Sequence, residues 1–414
     1  MKPGGYKIET SEKNVTLAAK DASGLRYGFA TLLQIIKPHE TGVCVPQVQI
    51  ADYSDSPYRG LLIDAARNWH DIGFLYDYID ACYFLKLTTL QIHFTDSESF
   101  TLPIDKYPNL ATPGRHYTKE QIKSLAEYAN DRGIELLPEI ETPGHCAEFQ
   151  RNYPEIFGHN DGIMAFHKKS LDALSDIFRE ICEMFPYSSN IHIGGDEAAI
   201  ANWLNCGECK KYAESIGIEL TEGEDRLNAE RIYATFVSKA ADMIFANGKV
   251  PIVWEGFSAA VNDMISKDII VMSWENFYQS THELLKSGFK IINCSWAPLY
   301  IVSPNRHWTP KEIFDWSIYD WKPTHPDSPF YPDGFTIEPT DKVLGGQLCA
   351  WGDSILSEDN LVEGEKVEQR LIIERLTGVA ENTWNIKKRL SFETFAENAE
   401  ALTNALSKVL RYSK

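Results

Sequence analysis

Ile191-His192-Ile193-Gly194-Gly195-Asp196-Glu197 is an apolar run that ends in two glycines and delivers two adjacent carboxylates. Ile191 and Ile193 alternate with His192 as a buried strand requires, and the bare glycines let another group approach the backbone closely. Asp196 and Glu197 are then expected at an exposed strand end, where paired carboxyl groups suit a pocket that does acid-base work on a substrate. A second reading stands beside this one: Asp-Glu after Gly-Gly also caps a following helix.

Seven other runs repeat the plan of a short apolar stretch with a polar residue at its carboxyl end. They cover 60–64, 89–95, 135–140, 250–254, 269–274, 290–295 and 343–351. With 191–194 they make eight, the number that closes an α/β (β/α)8 TIM barrel. Helical spacing fills 74–86, 119–132, 171–185, 226–246 and 367–377 between them. Long insertions after the second and fourth strands, and between Tyr300 and Val343, are expected as loops over one mouth. Upstream, 6–9 and 15–18 read as paired strands and 22–36 as a helix, too little to cover its own apolar face. Pro46, Asp52 and Ser54-Asp55-Ser56-Pro57 mark the joint. The expected division is a short N-terminal α+β segment, 1–56, and a catalytic barrel with C-terminal helices, 57–414.

The formal charge of −19 argues against nucleic acid or an anionic membrane as partner, because neither surface binds without a local excess of Lys and Arg. A polar start and the lack of a long apolar run read as a cytoplasmic chain, or as an exported one whose signal is not in this sequence. Of eight cysteines only Cys206 and Cys209 form a Cys-x-x-Cys pair, and no second pair completes a zinc site. His93, His145 and His192 come from three different strands without a second histidine, which disfavours a metal-dependent barrel hydrolase. Neither metal nor cofactor is expected.

Active sites of such barrels lie at the carboxyl ends of the strands. The residues there are Asp64 with Arg67, His93 with Asp96, Glu139 with Glu141 and His145, Asp196 with Glu197, Trp254 with Glu255, Trp274 with Glu275, Trp296 with Tyr300, and Trp351 with Asp353. Tryptophan at four or more strand ends points to carbohydrate, since pyranose rings offer apolar C–H faces to aromatic rings.

These residues resemble the family-20 glycoside hydrolases, the β-N-acetylhexosaminidases, whose signature is His-x-Gly-Gly-Asp-Glu. The stretches 58–67, His93-Phe94-Thr95-Asp96, 138–145 and 375–384 are similar to the family's first three strands and closing helix, and 6–50 to the end of its small N-terminal domain, shortened. The resemblance implies exo-hydrolysis of terminal β-linked GlcNAc or GalNAc from an oligosaccharide or glycoconjugate, retaining and substrate-assisted. It implies Glu197 as acid and base, Asp196 on the acetamido N–H and Tyr300 on the acetamido oxygen. Arg67 would bind ring hydroxyls, Trp254, Trp274 and Trp351 would line the pocket, and Asp353 would meet the outer hydroxyls. His145 with Asp96 would orient Glu197, unless His145 is only a turn residue after Pro143-Gly144. The anion of Asp196 is expected to raise the pKa of Glu197. Homodimer formation and the choice of sugar stay open.

Two departures stand out. Where the family has Tyr-x-Asp this chain has Tyr300-Ile301-Val302, and where it has Trp-x-Glu this chain has Trp351-Gly352-Asp353. Val302 cannot accept a hydrogen bond and Asp353 is one methylene short, so the grip on the 6-position is loosened. Arg306 and His307 downstream either meet an anionic 6-substituent, as in an enzyme selective for 6-sulfo or 6-phospho sugars, or are ordinary loop residues. A non-catalytic sugar-binding barrel would show a lost acid, whereas Asp196, Glu197, Tyr300 and His145 are all present.

Overall fold

The computed structural model describes residues 1–40, 42–158, 162–303, 306–353, 361–387 and 390–410. Strands β1 (Tyr6–Thr10), β2 (Val15–Ala19) and β3 (Gln49–Asp52) form an antiparallel sheet in the order β2-β1-β3, beside helix α1 (Ala22–Ile35). The polar stretch around Asp52, read as joint alone, thus supplies a third strand. Tyr6 and Ile8 on β1 pack against Trp384 of the last barrel helix. The buried Arg59 guanidinium secures the seam, donating to Ser56 O, Lys86 O and Tyr27 Oη at 2.7–2.8 Å.

Eight parallel strands close the barrel: β4 (Tyr58–Asp64), β5 (Thr89–His93), β6 (Glu135–Thr142), β7 (Asn190–Gly194), β8 (Val250–Trp254), β9 (Ile270–Ser273), β10 (Lys290–Asn293) and β12 (Val343–Ala350). β12 pairs with both β10 and β4, which joins the ends of the sheet. Side chains alternate across each strand. Leu62, Leu137, Ile252, Met272 and Ile292 therefore fill the interior, while Leu61, Ile63, Ile92, Ile191 and Ile193 face outward. The outer faces are covered by helices α2 (Ile72–Phe84), α3 (Lys119–Arg132), α4 (Lys168–Met184), α5 (Asp225–Ala246) and α6 (Thr281–Lys286). Local signals set their ends: Thr118 and Gln121 form a capping box on α3, which stops at Gly133 with φ +68°. The closing helix α7 (Leu361–Trp384) is twice the length its spacing suggested, because its polar first half lies against the loop after β4. There Glu368 accepts from His70 Nε2 at 2.7 Å and Asn68 Nδ2 at 3.0 Å, in a buried cluster.

The segment after Tyr300, expected as loop, begins as strand β11 (Tyr300–Ser303), which pairs with the end of β12 through Tyr300↔Cys349 and Ile301↔Ala350. Tyr300 is thus built into the barrel rim. No helix among the described residues is long and apolar enough to cross a membrane.

Candidate active site

The turn after β7 has an uncommon backbone. Gly194 and Gly195 take φ of +77° and +116°, and Glu197 takes +47°. A Cβ on Gly194 would lie 2.3 Å from Glu141 Oε2, and one on Gly195 2.4 Å from Val253 Cγ2, so both positions require glycine. A left-handed glutamate costs on the order of 1–3 kcal/mol and persists only where neighbours hold it. Here the Tyr278 hydroxyl lies against the Glu197 backbone, and Tyr233 Oη donates to Gly195 O. The helix-cap reading is set aside: the next helical turn, Ile200–Leu204, starts after Ala199 without a side-chain cap.

Asp196 and Glu197 project from this turn together with His145. His145 Nε2 lies 3.4 Å from Glu197 Oε2 and 4.0 Å from Asp196 Oδ2, and its Nδ1 lies 3.2 Å from Asp96 Oδ1. The imidazole thus stands against both carboxylates of the turn and against Asp96. Asp96 in turn meets His93 Nε2 at 2.9 Å and Arg67 Nη2 at 2.7 Å. Burial works against a charge on His145, but its bonds to Asp96 and Glu197 outweigh it and raise the pKa to about 11, so the ring is an imidazolium at any working pH.

This cation reverses the expected electrostatics of the pair. The hydrogen bond from His145 holds Glu197 below the usual glutamate range, although partial burial and Asp96 oppose it. Asp196 is the raised member, at about 6, because it loses water and faces Glu197 and Glu139 while His145 compensates only in part. The rise expected on Glu197 falls on Asp196 instead, because the imidazolium sits nearer to Glu197 than to Asp196, which closeness in sequence does not reveal.

Across the mouth stands a continuous aromatic wall. Tyr300 stacks on Trp296 (ring centres 5.1 Å) and Trp274 (6.3 Å), and Trp351 lies 5.9 Å from both Tyr300 and Trp254. Burial pushes the Tyr300 phenol well up, so it stays a hydrogen-bond donor. Trp254 is fixed from below, where its Nε1 donates to Glu139 Oε1 at 2.5 Å. Glu139, fully buried, also accepts from Gln91 Nε2 at 2.8 Å and stays ionised between His93 and His192. Glu141 beside it is held neutral by burial and by Asp196 and Glu139. Nitrogen and oxygen atoms of His93, Glu139 and Glu141, and of His145, Asp196 and Glu197, cluster within 4.8 Å as metal ligands would. Against the cost of burial, the neighbouring carboxylates raise the His93 pKa to about 10 and that of His145 to about 11, so each cluster is held together by ion pairs.

Arg67 is committed more fully than expected: beside Asp96, it meets Asp64 Oδ2 at 3.0 Å and Asp353 Oδ1 at 3.3 Å. Asp353 is half-exposed and Val302 packs on the aromatic cluster in the barrel mouth. The Arg306 side chain lies outside the described residues. Tyr278 was missed by the sequence reading; its one signal is its place four residues after Trp274, in the same strand-end loop. Cys206, the other half of the Cys-x-x-Cys pair, caps a helix by accepting the Cys209 N–H at 3.2 Å.

A parallel barrel that sets a carboxyl pair beside a cluster of tryptophans at its carboxyl mouth has the arrangement that glycoside hydrolysis needs. The chain belongs to glycosyl hydrolase family 20: the family's catalytic domain matches residues 56–387 and its domain 2 matches 1–53. Among its relatives are the β-hexosaminidase subunit beta of Entamoeba histolytica, 25% identical over 92% of this chain and 68% of that protein, and the β-hexosaminidase of Porphyromonas gingivalis, 25% identical over 98% and 53%. The chain therefore spans only about half to two thirds of these proteins. Its fold matches the GH20 exo-β-N-acetylglucosaminidase of Vibrio harveyi, crystallised with N-acetylglucosamine, with a TM-score of 0.80 at 22% identity, covering 100% of this chain and 68% of that one.

Proposed function

We propose that the chain is an exo-acting β-N-acetylhexosaminidase that removes terminal GlcNAc or GalNAc with retention, by substrate assistance. The observation that carries this reading is the placement of Asp196 and Glu197 side by side on one turn, with His145 against both. An enzyme nucleophile belongs across the sugar from the acid, about 5–5.5 Å away; adjacent carboxylates leave that face to the substrate's own acetamido group. Glu197 donates its proton to the leaving oxygen as the acetamido oxygen attacks the anomeric carbon, and the resulting oxazolinium ion is opened by water that gives its proton back to Glu197. Asp196 accepts the acetamido N–H and Tyr300 donates to the acetamido oxygen. Relatives named as β-hexosaminidases support the reading. Proton NMR of a hydrolysed chromogenic N-acetylglucosaminide should show the β-anomer first; an α-anomer would overturn the mechanism, and no hydrolysis would leave a sugar-binding barrel.

The raised Asp196 and lowered Glu197 determine the pH dependence. The pair must carry one proton, and a bound acetamido N–H favours the Asp196 anion, moving that proton to Glu197. As the free pair loses its last proton near pH 6, kcat/KM should fall above about pH 6 with its optimum on the acid side. Asp196→Asn removes the group that carries the pair's last proton and leaves only the lowered Glu197, so the alkaline limb should move to lower pH. A limb at pH 8 or above in the unmodified protein contradicts the assignment.

The outer pocket suggests tolerance at the 6-position, where Val302 brings no charge and Asp353 is engaged with Arg67. N-Acetylglucosaminides carrying 6-sulfate should be hydrolysed within about tenfold of the plain sugar, a difference of roughly 1.4 kcal/mol. Val302→Asp should then penalise the sulfated sugar selectively by like-charge repulsion. Rejection of the sulfated sugar by several powers of ten in the unmodified protein reduces Val302 to a packing residue.

A further inference from the structure

Two strand-end carboxylates have no part in this chemistry, although both are buried beside it: Glu255 after β8 and Glu275 after β9. Glu255 Oε2 accepts from Ser273 Oγ at 3.1 Å and from the N–H groups of Trp274 and Asn276 at 3.3 and 3.0 Å, and its Oε1 from the Tyr278 N–H at 3.3 Å. Glu275 accepts from the Thr324 and His325 N–H groups at 2.8 and 3.1 Å and from the Thr324 hydroxyl at 2.8 Å. Asn276 takes φ +54°, and its buried side chain accepts the Thr281 N–H and O–H at 2.6 and 2.8 Å. Two loops from different parts of the chain are thereby clamped against each other.

The clamp presents one apolar feature. Phe277, bracketed by the two residues that Glu255 holds, is 39% exposed, and its ring centre lies 4.8 Å from that of His325 on the other loop, itself half-exposed. The Phe277 ring also lies 4.8 Å from the ring of Tyr278, whose hydroxyl lies against the Glu197 backbone. The Phe277–His325 pair is thus one ring removed from the residue that protonates the leaving oxygen. Scattered exposed aromatics are ordinary on protein surfaces. A pair carried on clamped loops is different, because the buried carboxylates hold both backbones in advance and binding adds less ordering cost.

We propose that Phe277 and His325 form the leaving-group subsite, a platform that receives the C–H face of a second pyranose joined to the sugar being removed. This rests on the hexosaminidase reading and names the class of aglycone it prefers, a glycoside rather than a small alcohol or a protein hydroxyl. Aromatic faces suit the apolar side of a pyranose and leave its hydroxyls in water.

The test compares kcat/KM for N,N′-diacetylchitobiose with that for trifluoroethyl N-acetylglucosaminide, which has no ring to stack. Phe277→Ala should depress the disaccharide at least tenfold more than the trifluoroethyl glycoside, His325→Ala should act in the same direction, and Phe277→Trp should retain the unmodified ratio. Equal losses on both substrates, or no loss on either, overturn the subsite and leave the hexosaminidase reading intact. Failure of the unmodified protein to cleave either substrate overturns both.

Discussion

Replacing Glu197 by glutamine should lower kcat by roughly two to four powers of ten on glycosides with poor leaving groups, the range that a positioned general acid supplies. The loss should be much smaller on aryl glycosides whose leaving group departs without a proton. The contrast follows from the geometry: Glu197 is 57% exposed toward the mouth, so the substitution disturbs little packing. Glutamine preserves size but has no proton to give. It also removes the anion next to the His145 imidazolium, which then faces Asp96 and Asp196 alone. The measurement is kcat on a disaccharide and on a dinitrophenyl glycoside for both proteins, with circular dichroism to verify the fold. Equal losses on the two substrates would remove Glu197 from the acid role.

A larger effect is expected from the substrate side. If the acetamido oxygen is the nucleophile, a β-glucoside with hydroxyl in place of acetamide keeps most of its contacts with the aromatic wall and loses the attacking group. An oriented intramolecular nucleophile is worth an effective molarity of about 10⁵ M or more, so hydrolysis of the glucoside should be slower by about five powers of ten. The complementary result is tight competitive inhibition by a thiazoline that imitates the cyclised intermediate, far beyond the affinity for substrate. On the proposed mechanism Asp196 and Tyr300 would meet such a ring: the phenol stays protonated as a donor, and the carboxylate is the acceptor once an N–H displaces its proton. Ready turnover of the plain glucoside would dispose of substrate assistance while leaving the acid untouched.

By itself the sequence determined the barrel and the strand ends at which its candidate site residues stand. Strand periodicity and turn glycines are local properties, so the eight runs could be read where they lie, and the rule that barrel sites sit at strand carboxyl ends then picked out Asp196, Glu197, His145 and the tryptophans. Elements stabilised by partners distant in sequence were less visible. The strand Gln49–Asp52 is polar and exists because β1 offers it an edge, and Tyr300–Ser303 is a strand because the end of β12 does. Only the tertiary structure decided how the shared residues divide their work. The lowered acid is Glu197 and the raised one Asp196, because a pKa follows distances through space to His145 and Asp96, which sequence spacing does not encode. Likewise Glu255 and Glu275 occupy strand ends as catalytic carboxylates do, but their oxygens are taken by backbone N–H groups of loops that fold back over them. Sequence places a side chain at the mouth of a barrel; whether it faces the substrate or supports a loop is decided by what the rest of the chain packs around it.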